Sequence, residues 1–168
     1  ISSSGHLALL HAMFGLSDPE TCMTFDVMLH LATLAAVVCV YSRDVLALIK
    51  AFFTMIGKIF SGRGKELTGT ERFALYIIVA TVPLGLAFFA KDAVTGVAAT
   101  PRAVGILLLI NGFVLLIGDR AGRGCATAES LGAGRALAVG AFQLAAVVPG
   151  LSRSGMTVTG GLVCGLER

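Results

Sequence analysis

The chain has 168 residues, 56% of them hydrophobic and only 14% charged, with 21 glycines, no tryptophan and a mean hydropathy of +0.89. Soluble domains are about a quarter charged, so this composition excludes an ordinary soluble domain and points to a membrane protein. The net charge of +3 comes with no basic patch interleaved with aromatics, so no nucleic-acid partner is expected.

Four cysteines (Cys22, Cys39, Cys125 and Cys164) show neither CxxC nor Cys/His metal spacing. Cys39 and Cys164 lie in apolar runs and read as small hydrophobes. The first residue is Ile1 and the last four read "GLER", so an internal piece of a longer protein is expected.

Taken in chain order, the opening "ISSSGHLALLHAMFGL" reads as a Ser/Gly stretch followed by a short apolar helix. Residues 24–41, 73–90 and 103–118 are each apolar enough to cross a bilayer as helices. At 1.5 Å per residue, 16–18 residues reach roughly 24–27 Å, slightly short of the ~30 Å hydrocarbon core, so flanking residues must extend each span. Pro83 should kink the second. A fourth run, 135–148, stops at "PG" and is followed by a short one, 156–166. That pattern predicts a broken helix with irregular backbone between its halves, which survives at membrane depth only where protein buries it or water lines it.

The connections differ in charge. Residues 42–72 carry Arg43, Lys50, Lys58, Arg63, Lys65 and Arg72, and 119–135 carry Arg120, Arg123 and Arg135. The 17–23 connection has Asp18 and Glu20 but no Lys or Arg, and 91–102 has Lys91 and Arg102. The positive-inside bias puts 42–72 and 119–135 in the cytoplasm. Within the first, "VLALIKAFFTMIGKIF" has the pattern of an interfacial amphipathic helix. With this orientation the two Ser/Gly stretches approach each other toward the outer half of the membrane.

Those stretches read "SSSGH" at 2–6 and "SRSGM" at 152–156, both Ser-x-Ser-Gly before a short apolar helix. Matching interrupted segments in a membrane chain point to repeats whose broken helices build a central site. The blander explanation is that small residues let helices pack closely. Arg153 resists that explanation, because charge in the membrane is expensive and usually marks function. Its planar fork suits phosphate, flanking serines add hydroxyls, and a helix start exposes N–H groups to an anion. The competing role is a structural ion pair with a carboxylate such as Asp26. His6 has the chemistry of a general acid or base. His11 and His30 read as ordinary interfacial or packed histidines, although His30 lies inside a span. Asp26 reads as a capping or solvated residue.

With these residues in view, "ISSSGHL" (1–7), "FDVMLHLATLAAVV" (25–38), "GAFQLAAVVPG" (140–150) and "PGLSRSG" (149–155) resemble the undecaprenyl pyrophosphate phosphatase family, bacterial bacitracin-resistance membrane phosphatases. The resemblance runs through the whole chain in order. It implies an all-α polytopic membrane helix bundle with inverted repeats and re-entrant or broken helices. Residues 1–168 would form one membrane domain, with 1–90 in a first repeat region and 91–168 opening a second.

The implied activity is removal of the terminal phosphate from a C55 polyprenyl diphosphate, which recycles the lipid carrier for peptidoglycan synthesis and confers bacitracin resistance. The implied setting is the bacterial inner membrane, with the active site toward the outer side. Ser3 matches the family's serine nucleophile or phosphate ligand, His6 its catalytic histidine and Arg153 its phosphate-binding arginine. Ser2, Ser4, Gly5, Ser152, Ser154 and Gly155 line the same loops as substrate-binding residues.

The family also uses a divalent cation, Mg²⁺ or Ca²⁺, held by glutamates that precede the first motif. Those glutamates are absent from 1–168, so no metal ligand is assigned here and residues 1–168 alone are expected to be inactive. The partners implied are the polyprenyl diphosphate and membrane lipids, with the oligomeric state, a homodimer included, left open. The rival from another class is a lipid-phosphate transporter or flippase that uses Arg153 as head-group receptor and needs no His6 chemistry.

Overall fold

Apolar periodicity, serine caps and glycine stops divide the described residues into seven α-helices in the computed structural model. The structure describes residues 2–15, 19–90, 94, 96–97, 100–122 and 124–167, without the side chains of 19–21, 65 and 90. Ile1, Asp18, Lys91 and Arg123, and the side chains of Glu20 and Lys65, therefore lie outside the described residues. Helix α1 spans Ser3–Phe14, α2 Pro19–Val40 and α3 Ser42–Phe60. Helix α4 spans Gly69–Thr81 and continues as a 3-10 segment over Val82–Ala90. Helices α5, α6 and α7 span Pro101–Ala121, Ala133–Ala145 and Arg153–Val163. Among the described residues the only extended pairing is an isolated bridge between Ala126 and Leu166.

Among the described residues the architecture is all-α, and three helical stretches are long and apolar enough to cross a membrane: Cys22–Val40, Gly69–Phe89 and Pro101–Ala121. Each contains one of the runs expected from the sequence and lengthens or shifts it by a few residues. None of the most apolar window in Cys22–Val40 is buried by protein, and Phe25, Met28, Leu31 and Leu34 all stand exposed. Apolar area left in water costs roughly 25 cal/mol per Å², so an apolar helix this exposed fits hydrocarbon rather than water. The chain is a membrane protein.

At Pro83, where the sequence predicts a kink, the α-helix gives way to the 3-10 segment from Val82 onward. Proline has no N–H for the α-helical ladder, and i→i+3 pairing is the available substitute. Gly140 of α6 packs here, directly against the Ala80 carbonyl and the Pro83 ring.

Helices α4, α5, α6 and α7 form the core of the bundle, with α4 on α6, α5 on α7 and α6 on α7. The halves of the broken helix do not continue across the bundle; they fold back on each other. Phe142 lies on Gly160 and Cys164 Sγ lies 3.9 Å from the Arg135 carbonyl, so α6 and α7 run antiparallel. The hairpin is closed at its base where Ala126 N–H donates to Gly165 O (3.1 Å) and Glu167 N–H to Ala126 O (3.0 Å).

Helix α7 runs parallel to α5. Ser152 N–H donates to Asn111 Oδ1 at 2.9 Å, and a turn or two later Thr159 packs on Gly118. Asn111 falls in the middle of α5, so the tip of the hairpin reaches only half-way along the bundle. Gly69, at the start of α4, touches Glu129, which brings the two Lys/Arg-rich connections to the same end.

Helix α3 buries Ala51 and Met55 and leaves Phe53 and Phe60 exposed, the one-sided pattern expected of an amphipathic helix. It packs on α4, where Lys58 Nζ meets the buried Glu71 carboxylate at 2.8 Å. Glu71 also accepts Thr68 N–H at 2.8 Å, so one carboxylate caps α4 and ties it to α3.

Candidate functional site

The two Ser-x-Ser-Gly segments become the N-termini of α1 and α7, and each is capped in the same way. Ser2 is the N-cap of α1 and its Oγ accepts Gly5 N–H at 3.3 Å. Ser152 is the N-cap of α7 and its Oγ accepts Gly155 N–H at 3.1 Å. Beside each cap a second serine lies close, with Ser2 Oγ to Ser4 Oγ at 3.4 Å and Ser152 Oγ to Ser154 Oγ at 3.3 Å. The sequence supplies serine at these positions because its hydroxyl satisfies amide donors that a helix start leaves without partners.

The segments meet at the middle of the bundle. Gly5 rests on Gly150 and Leu108; a methyl group on it would fall 2.9 Å from the Gly150 Cα. Gly150 itself has φ +105, and a side chain there would strike Leu107 and the Val104 carbonyl. Two glycines are thus required where α1 crosses the "PG" turn, one for space and one for space and backbone conformation.

The result is a cavity of about 700 Å³ lined by Ser2, Ser3 and Ser4 from one segment and Ser152, Arg153 and Ser154 from the other. Gln143 and Thr157 complete its polar wall together with His30 of α2, while Ala146, Val147, Pro149, Leu151 and Val158 supply an apolar one. Ser2 and Ser152 are buried with their oxygens already accepting at the caps. Ser3, Ser4 and Ser154 are exposed, the last two within hydrogen-bond reach of the cap serines. Among the described residues the Arg153 guanidinium meets no carboxylate. Asp26, the carboxylate considered as its partner, instead lies 3.7 Å from His11 Nε2, and its Oδ1 is buried without a hydrogen bond. A free guanidinium, several hydroxyls and two helix N-termini together form a donor-rich chamber suited to an anion.

His6 is exposed, one turn into α1. Its Nδ1 lies 2.6 Å from the Ser2 carbonyl; a carbonyl only accepts, so Nδ1 carries the proton and Nε2 is left with the lone pair. His6 is next to the serines but is not among the residues that line the cavity. Gly5 and Gly155 sit behind the capping serines as packing elements. Among the described residues no three His, Cys, Asp or Glu side chains cluster as a metal site, and no carboxylate lines the cavity. The residues present therefore do not fit a divalent cation.

Sequence reasoning missed Asn111, the only amide in the apolar run "GILLLINGFVLLIG". Its cost in a span is the signal that identifies it. It also missed Gln143, and it assigned His30 no special role.

Residues 1–168 match the family described as Bacitracin resistance protein BacA. The chain belongs to the BacA family. Among BacA relatives, the undecaprenyl-diphosphatase of Methanosphaera stadtmanae is 39% identical over 174 residues, covering all of this chain and 62% of the relative. The protein of the same name from Rubrobacter xylanophilus is 38% identical and is covered over 61% of its length. That of Alkaliphilus metalliredigens is 36% identical, with 62% covered. The chain spans about three-fifths of the length of these curated BacA relatives.

Proposed function

We propose that the full-length protein containing this chain hydrolyses undecaprenyl diphosphate to the monophosphate and phosphate. One observation carries the reading: both serine segments and an unpaired arginine line a single cavity at mid-bundle, in a chain whose relatives bear that activity in their names. The Arg153 guanidinium, the hydroxyls of Ser3, Ser4 and Ser154 and the first-turn N–H groups of α1 and α7 grip the diphosphate. Phosphoryl transfer is mainly positioning and charge neutralisation, and donors fixed before the reaction are its usual source of rate.

A hydroxyl, from Ser3 or from water, attacks the terminal phosphorus. The bridging P–O bond then breaks, and its electron pair leaves with the lipid monophosphate. With water as the nucleophile, its protons remain with the released phosphate. With Ser3, the hydroxyl proton passes to the departing lipid monophosphate as the phosphoserine forms, and water then hydrolyses the phosphoserine to phosphate and restores the Ser3 O–H. His6 acts as general acid or base through Nε2. The divalent cation that the resemblance implies would take its ligands mainly from outside residues 1–168. An apolar groove along Met23, Val27, Leu31 and Leu34 of α2, about 550 Å³, shares His30 with the serine–arginine cavity and offers the prenyl chain a surface.

On this reading the protein resides in the cytoplasmic membrane. The 42–72 and 119–135 connections face the cytoplasm, supported by their Lys/Arg excess, and the cavity opens outward. The test is phosphate release from undecaprenyl diphosphate by the purified full-length protein in detergent. Release supports the hydrolase. Translocation of the intact lipid across a vesicle without release would overturn it in favour of a transporter.

A further inference from the structure

His30 lies on α2, inside the candidate span Cys22–Val40, yet it lines the cavity built by the serines and Arg153. Its Nδ1 is 2.7 Å from the Asp26 carbonyl one turn earlier. As with His6, a carbonyl can only accept, so Nδ1–H donates and the neutral ring presents Nε2 as a pure acceptor. Among the described residues Nε2 has no partner, and a polar group in a span without one is costly.

The rest of the polar wall explains what such an atom is for. Arg153 can only donate, and the N–H groups of the two helix starts can only donate; these suit phosphate oxygens. A lone pair facing a phosphate oxygen repels it, so Nε2 does not belong to the phosphate-gripping set. The complementary partner in a phosphoryl-transfer chamber is the O–H of the attacking group. The charged groups that share a cavity wall with His30 are Asp26 on its own helix and Arg153 on α7. Asp26 is engaged toward His11, and Arg153 offers donors alone.

We infer that His30 orients the attacking hydroxyl, water or Ser3, by accepting its hydrogen bond at Nε2 and aiming the oxygen at the terminal phosphorus. This inference rests on the hydrolase reading above. His30 is a positioning residue in this scheme: the hydroxyl oxygen forms the new bond to phosphorus while its proton stays with the products, and the ring itself needs no net protonation. Geometry of this kind acts on kcat and leaves ground-state binding largely in place.

The experiment compares His30→Ala and His30→Gln in the full-length protein, measuring kcat and KM for phosphate release from undecaprenyl diphosphate. His30→Ala should lower kcat by about 10- to 100-fold with KM within about threefold, because misplacing a reacting group by 1 Å costs on that order. His30→Gln, whose amide oxygen can accept in a similar place, should recover kcat to within about threefold of wild type, a margin worth about 0.7 kcal/mol of barrier. If the alanine variant keeps its kcat, His30 is merely a wall residue and the inference fails. If the glutamine variant is as slow as the alanine variant, a titrating base is required and the orienting role fails. If wild type itself releases no phosphate, the hydrolase reading fails, an outcome distinct from both.

Discussion

The starts of α1 and α7 are built to one backbone plan and equipped with different side chains. Both have an N-cap serine closing on the N–H three residues later, and both have a companion serine within 3.4 Å. The α7 segment adds a guanidinium and is anchored to the bundle by Asn111 through the Ser152 N–H. The α1 segment adds an imidazole and is held by close contact of Gly5 with Gly150. The shared plan provides the anion-binding backbone twice. On the hydrolase reading proposed above, the unshared residues divide the chemistry, with fixed charge on the anchored segment and proton traffic on the other.

That division can be broken most severely at the proton side. His6→Ala in the full-length protein should reduce phosphate release by about 10²–10⁴-fold, the usual worth of a general acid or base, with little change in binding of a non-hydrolysable lipid diphosphate. Binding lost in parallel with rate would place His6 in the phosphate grip and erase the contrast.

Arg153→Lys comes next. Lysine keeps the charge but offers no fork, and losing one well-aimed donor costs about 10²–10³ in rate. Turnover within about threefold of wild type would reduce Arg153 to an ordinary counter-ion.

The difference in anchoring is tested by Asn111→Leu, which removes the Oδ1 that accepts the buried Ser152 N–H. An unsatisfied buried donor costs about 1–3 kcal/mol, so the thermal midpoint in detergent should fall, while a substitution at exposed Leu109 on the same helix should leave it in place. Equal midpoints for both would mean the hairpin tip is held by packing alone.

The smallest effect sharpens the resemblance itself. Ser2→Ala and Ser152→Ala each remove one N-cap, worth about 1 kcal/mol, and the two losses should match within a few tenths of that. A clear inequality, read from denaturation midpoints, would show that the capping geometry is not equivalent in energy.

Much of this arrangement was legible in the sequence. The three spans declare themselves by hydropathy, the break by "PG" in an apolar run, and the kinship of 2–6 with 152–156 by pattern. What stayed hidden was what depends on a partner. A proline shows that the ladder must fail near Pro83, but not that the chain goes on as a 3-10 segment or that Gly140 packs against the freed turn. Asp26 looks like a solvated residue near a span end, and only the approach of α1 puts its Oδ1 3.7 Å from His11. His30 has an ordinary helical context on α2; its significance comes from α7, more than a hundred positions away in the chain. Hydropathy also foresaw two short apolar runs around 149–150 without saying whether the second continues the first or reverses it.

That reversal governs how the membrane path of the chain is counted. Because the bridge between Ala126 and Leu166 closes α6 and α7 into a hairpin, the backbone comes back to the end of the bundle it departed from. The pair therefore contributes zero to the tally of crossings. Treating 135–166 as one interrupted span would add an odd step and invert the side assigned to every residue that follows Leu166, including the sign of the positive-inside argument applied there. Two backbone hydrogen bonds at the foot of a hairpin thus set the parity of the topology.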